Sequence, residues 1–216
     1  MYMILNLILI VLLNIIIFVI AEILYKKGIE AHITRKVTHI GGALICFIAP
    51  WLLDFQTSLL ISLAFPLFLF WTKKKGTLNS VHGVDSKTFG AVLFPIGLAF
   101  CALAFWRIEV IIFQGAVLIL GLSDSLACII GRKFGKTEYN IGGKKTVEGS
   151  LVFFSITLFI LLSVLFVYKE SFEMNKVIFA ILGTFILTIT EGILGYGLDN
   201  LFLPLLGGLI IQFLII

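Results

Sequence analysis

Residues 121–149 read GLSDSLACIIGRKFGKTEYNIGGKKTVEG. Asp124 stands inside an apolar run from Val110 to Ile130, and the stretch beyond it carries Arg132, Lys133, Lys136, Lys144 and Lys145, two glycine-rich bends and Glu148. A helix crossing a bilayer needs roughly 20 apolar residues. Asp124 would then sit one and a half to two turns before the end of such a helix, too deep for a simple boundary residue. A carboxylate at mid-helix costs about 2.5 to 3.5 kcal/mol. A membrane helix that keeps a costly acid and leaves the bilayer into a cationic loop is the reading that decides the fold.

The rest of the chain agrees. Of its 216 residues 60% are hydrophobic and 13% charged, and the mean hydropathy is +1.16. A soluble domain must still cover itself with polar side chains, so the class expected is an all-α, polytopic membrane helical bundle. Apolar runs fall at Met3–Leu24, Thr38–Leu53, Ser58–Trp71, Phe89–Trp106, Val110–Ile130, Leu151–Tyr168, Val177–Leu194 and Leu198–Ile216. The second and third are short, which gives seven or eight spans; a re-entrant one would invert the topology beyond it. Trp51, Trp71 and Trp106 each mark the end of a run, where indole favours the interface. The first run has neither a basic leading region nor a small-residue cleavage site and is read as a span. With no repeat or linker, residues 1–216 are expected to form one domain.

Lys and Arg set the orientation. With the N-terminus outside, the inner loops hold Lys26, Lys27, Arg35, Lys36, Lys73, Lys74, Lys75, Lys87 and the five cations after Asp124, whereas the outer loops keep Arg107, Lys169 and Lys176. The long, glycine- and histidine-bearing loops are then cytoplasmic, and function is expected there, in an integral multi-pass protein. Cys46, Cys101 and Cys128 lie in apolar runs and read as small buried side chains. His32, His39 and His82 are scattered without cysteines, which disfavours zinc.

Four acids lie in or beside spans: Glu22, Asp124, Glu191 and Asp199. Glu22 reads as a residue that snorkels at the end of the first span. Glu191 and Asp199 flank GILGYGL and have a plain alternative as a polar helix hairpin. Arg132, Lys133, Gly135 and Lys136, then Gly142, Gly143, Lys144 and Lys145, suit a polyphosphate, because glycines admit backbone N–H groups and the cations supply charge. Their plain alternative is positive-inside topology or anionic lipid. The spacing is not that of a P-loop or of G-x-G-x-x-G. Magnesium takes a few carboxylates plus phosphates and keeps some waters, and Asp124, Glu148, Glu191 and Asp199, with Asn200, could supply such ligands. Arg35, Lys36 and His39 lie on one helix face. His82 and Asp85 precede another span.

The segments RKVTH (35–39), SDSLACIIGRKFGK (123–136), GGKKTVEGS (142–150) and EGILGYGLDNLFLP (191–204) resemble, in this order, the polyprenol kinase family. That family includes dolichol, phytol and farnesol kinases and a CTP-dependent diacylglycerol kinase, and it resembles phosphatidate cytidylyltransferases. The likeness covers roughly residues 34–208. One departure is Ser123 before Asp124, where many members have glycine. The resemblance implies a CTP-dependent kinase acting on the hydroxyl of a bilayer-embedded long-chain alcohol, with magnesium as cofactor. It also implies Asp124, Asp199, Lys145 and His39 as catalytic residues, Asp124, Glu148, Glu191 and Asp199 on the metal, and nucleotide contacts from Arg35, Lys36, Arg132, Lys133, Gly135, Lys144, Lys145, Thr146, Glu148 and Asn200. Either Asp124 or Asp85 would take the hydroxyl proton. Alternatives are a CDP-lipid synthase using the same metal and lysines, and a transporter, which would need charges nearer mid-membrane. Expected partners are a nucleoside triphosphate, a lipid alcohol and the membrane, with no nucleic acid. Gly195, Gly197, Gly207 and Gly208 suggest close helix packing, within one chain or in a homo-oligomer.

Overall fold

The computed structural model describes residues 2–84, 88–169 and 173–216. The order is α1 (Tyr2–Lys26), α2 (Ala31–Leu52), α3 (Phe55–Lys75), the one-turn α4 (Asn79–His82), α5 (Gly90–Phe105), α6 (Val110–Leu118), α7 (Asp124–Phe134), β1 (Glu138–Asn140), β2 (Lys144–Thr146), α8 (Val147–Lys169), α9 (Met174–Ile193) and α10 (Asp199–Ile215). The bundle is helical, as the composition requires. α1, α3, α8, α9 and the continuous unit Val110–Phe134 are long and apolar enough to cross a membrane, and α5 and α10 are shorter apolar helices. α3 runs for 21 residues, further than its apolar run, because polar ends extend it. Asp54 caps its start by accepting from the Thr57 N–H at 2.8 Å, and Gly76, at φ +66°, closes its end. The antiparallel hairpin of β1 and β2 departs from a purely helical expectation. Six paired residues are too few for hydropathy periodicity to reveal.

Short connections make neighbouring helices antiparallel, and contacts sort their ends. At one end Asn6 donates to the Leu52 carbonyl (2.8 Å), Gln114 to the Phe47 carbonyl (2.8 Å), and Trp106 packs on Phe55 and Phe113. At the other end the α4 turn, the hairpin and the α9–α10 turn gather, so the loops read as inner and outer from charge lie at opposite ends.

The Val110–Phe134 unit is the axle, with 72% of its most apolar window buried. It is broken by a π-turn over Ile119–Ser123, where the Asp124 N–H reaches back five residues to the Ile119 carbonyl. Gly121 lies in this turn so close to α2 that a β-carbon there would run into Ala43. π-turns inside helices are rare and concentrate at functional positions. α1 is peripheral, with 6% of its window buried. Gly207 and Gly208 pack on Ile119 and Phe105, so these close approaches are made within the chain. Glu22 does more than snorkel. Its carboxylate accepts from the Ser80 N–H (3.2 Å), pinning α4 to α1, while Thr34 donates to the Ser80 carbonyl (2.6 Å).

Candidate active site

The π-turn delivers Asp124, 3% exposed, to the first turn of α7, facing α2. There Lys36, 5% exposed, donates to its carboxylate. Two buried ions cost several kcal/mol each to desolvate, which close pairing must offset. Arg35, one residue earlier, lies within electrostatic reach of Asp124, Asp199 and Arg132, and its Nε is buried without a hydrogen-bond partner among the described residues. The first turns of α2 thus aim two cations at the start of α7.

A second pair forms beside the first. Lys145 of β2 donates to the Glu191 carboxylate (2.5 Å) and to the Glu191 backbone carbonyl near the end of α9. The hairpin reaches that end because Gly142 and Gly195 meet backbone to backbone, where any β-carbon would collide with a carbonyl. On the far side of the turn, Gly197 at φ +95° packs on Gly90. Only glycine takes that conformation freely. The turn leads into Asp199 at the start of α10, which is in electrostatic reach of Asp124, Lys36 and Lys145. Asn200, 2% exposed, donates to the Gly90 carbonyl (2.9 Å) and leaves its Oδ1 buried without a partner among the described residues. Glu191 Oε2 is left in the same condition. Asp124, Glu191 and Asp199 therefore come from three helices to one end of the bundle, interleaved with Lys36, Lys145 and Arg35. The acids are not dispersed on opposite sides of the membrane.

His39 sits one turn along α2 from Lys36, 3% exposed and stacked on Phe94 (4.2 Å, 24°). Both ring nitrogens are buried without a partner among the described residues. At the mouth, burial and the neighbouring Arg132, Arg35 and Lys36 outweigh Glu30 and push the pKa of His32 down to about 4.

Other expected site residues lie elsewhere. The Glu148 carboxylate accepts from the Thr137 N–H at 3.3 Å and fastens the entrance of the hairpin. Lys144 is exposed and pairs with Glu138 (2.9 Å), and Lys133 is exposed over the Phe134 ring. Thr146 accepts from the Gly149 N–H (3.1 Å) and caps α8, and Gly135 packs tightly on Thr146. Asp85 and Lys87 lie outside the described residues. Cys128, read as a small buried side chain, is half-buried and stands in electrostatic reach of Arg35 and Lys36. Its position four residues after Asp124, on the same helix face, was the available signal.

No group of three His, Cys, Asp or Glu residues among those described is gathered closely enough to hold a metal ion by itself. Two buried oxygens at this end, Glu191 Oε2 and Asn200 Oδ1, nonetheless have no hydrogen-bond partner among the described residues. That suits a magnesium ion which completes its shell with phosphates and waters.

No family model matches the chain, and no solved structure matches it. Among curated proteins, a phytol kinase of Synechocystis sp. is 24% identical over 196 residues, 88% of this chain and 83% of the relative. Phytol kinase 1, chloroplastic, of Arabidopsis thaliana is 33% identical over 81 residues, 38% of this chain and 26% of that protein. The likeness to the polyprenol kinase family carried by the four ordered motifs is thus borne out through its phytol kinases.

Proposed function

We propose that this protein is a membrane-embedded lipid-alcohol kinase that moves the terminal phosphoryl group of a nucleoside triphosphate, CTP by preference, onto the hydroxyl of a long-chain alcohol of the phytol or polyprenol kind. The observation that carries the reading is the convergence of Asp124, Glu191 and Asp199 with Lys36, Lys145 and Arg35 at one end of an apolar bundle. The names of the two relatives support the kinase class.

Phosphoryl transfer asks the protein mainly for alignment and charge neutralisation. Lys145, Arg35 and Arg132 neutralise the triphosphate, with Lys133 and Lys144 contributing from the rim. Lys36 holds Asp124 in place until the substrates arrive. Asp199, Asn200, Glu191 and Asp124 are the residues that would hold magnesium, which when bound screens the phosphate oxygens. The alcohol oxygen forms a bond to the γ-phosphorus as the bond from that phosphorus to the bridging oxygen breaks. The nucleoside diphosphate leaves, and the hydroxyl proton passes to Asp124 or to His39. The site faces the cytoplasm by the distribution of Lys and Arg.

The test is to incubate purified protein with γ-labelled CTP, ATP or GTP and a panel of prenols, phytol and diacylglycerol. Labelled lipid phosphate together with CDP is the expected outcome. Release of pyrophosphate with a cytidylylated lipid would identify a cytidylyltransferase instead.

A further inference from the structure

An apolar cavity lies behind His39, between α1, α2, α3 and α5. It encloses a volume of about 90 Å³. Along α2 its wall is a stripe of small residues, Gly42, Cys46 and Ala49, leading from His39 to Leu53. That length of helix spans about 21 Å, some two thirds of a ~30 Å hydrocarbon core. Trp106, just past α5, lines the far end. Native interiors rarely leave voids larger than a water molecule, and an apolar one does not hold water well.

Three further features mark this cavity as built for an occupant. His39 lines it with both ring nitrogens buried and unpartnered among the described residues, so a polar group is wanted at that end, while Ser58 Oγ is buried and unpartnered among the same residues at the other. Pro50, Pro66 and Pro95 stand in α2, α3 and α5. A proline inside a helix cannot bond the carbonyl four residues back, and those carbonyls belong to Cys46, Ser62 and Ala91, each in the cavity wall. Lastly, α1 meets α3 through aromatic rings, Phe18 on Phe65 (5.8 Å) and on Phe68 (6.4 Å), which close the membrane-facing side.

We infer that this cavity receives the hydrocarbon chain of a single-chain lipid alcohol, which enters from the bilayer between α1 and α3 past Phe18 and Phe65 and brings its hydroxyl to His39. The inference rests on the lipid-kinase reading and adds the acceptor class: one chain, not two. The chain runs along α2 toward Trp106, and the hydroxyl bonds an imidazole nitrogen one helical turn from Lys36. The small-residue stripe of α2 lines one channel, matched to one chain.

Trp106 provides a direct readout. Trp51 and Trp71 are exposed (65% and 56%), so Trp51→Phe with Trp71→Phe leaves Trp106 as the remaining tryptophan. A brominated long-chain alcohol, added without nucleotide to this variant in nanodiscs, is expected to quench Trp106 saturably. Ala49→Phe, which fills the stripe, should abolish the saturable part. Ser58→Phe, at the far end, should shift preference toward a shorter brominated alcohol, so the test does not depend on one variant folding. His39→Phe should weaken binding about tenfold, as expected for a lost buried hydrogen bond, and His39→Gln should recover part of it. Quenching that rises linearly with added lipid, that ignores both filling variants, or that saturates equally with a brominated diacylglycerol overturns the proposal. Binding is read without phosphoryl transfer. Saturable quenching in a protein that phosphorylates no alcohol would therefore sink the kinase reading alone, whereas turnover without saturable quenching would sink the cavity alone.

Discussion

Lys36 and Asp124 lie 88 residues apart in the chain and meet as a buried ion pair between the first turns of α2 and α7. Neither has water to fall back on, so each is the compensating charge of the other. Asp124→Asn leaves an ammonium buried beside a neutral amide, and breaking a buried pair from one side costs roughly 3–5 kcal/mol. The double variant Lys36→Met, Asp124→Leu removes both charges and should regain most of the lost thermal stability in detergent. Both variants should lack kinase activity. Turnover in either one would take Asp124 out of the mechanism, whatever the melting temperatures.

Lys145 ties the hairpin to the end of α9 through Glu191. Lys145→Met should therefore act in two ways. Amide exchange should quicken across residues 138–146, since the hairpin loses its ionic tie to α9, and phosphoryl transfer should fall at least about a hundredfold, the usual scale for losing a charge-stabilising group. Lys144→Met removes only the exposed pair with Glu138. It should leave exchange nearly unchanged, because exposed pairs contribute about 0–1 kcal/mol.

Cys128 offers a test of where nucleotide binds. It is half-buried, close to Arg35 and Lys36, whereas Cys101 is fully buried. A triphosphate bound on Arg35 should shield it. Alkylation of Cys128 by a small maleimide, followed by intact mass in a Cys46→Ala background, should slow several-fold with CTP and magnesium and not with cytidine. Equal rates in all conditions would place the triphosphate away from Arg35.

How much of this was legible follows from what hydropathy and spacing can carry. The helical class and the outer helix limits came from apolar runs and from Lys and Arg counts. The family likeness came from four motifs in order. The pairing of Asp124 with Lys36 did not, because the two are far apart in sequence and nothing in a helical periodicity encodes a partner. The π-turn was hidden as well, since Gly121 reads equally as a packing glycine and as a break. Glu148 was expected near the other acids on the strength of its motif, but the hairpin that follows α7 needs its own fastening and takes the carboxylate for the Thr137 N–H. The cavity behind His39 was invisible because a missing side chain leaves no residue to read.

His32 gives a test of the mouth of the site in solution. Its imidazole ordinarily titrates near pH 6.5, and in the fold burial with Arg132, Arg35 and Lys36 around it, against Glu30, holds the value at about 4. Between those two values the unfolded chain binds a proton that the folded chain refuses. The stabilisation is thus complete above pH 6.5 and is lost as pH falls toward 4. Melting curves of detergent-solubilised protein at pH 7 and pH 4.5 should therefore differ more for the natural chain than for His32→Gln, which cannot titrate. Arg132→Gln removes one of the cations that hold the value down, so in that variant the pH at which stability starts to recover should move upward. An unchanged pH profile in both variants would mean that His32 and Arg132 are not neighbours at the start of α2.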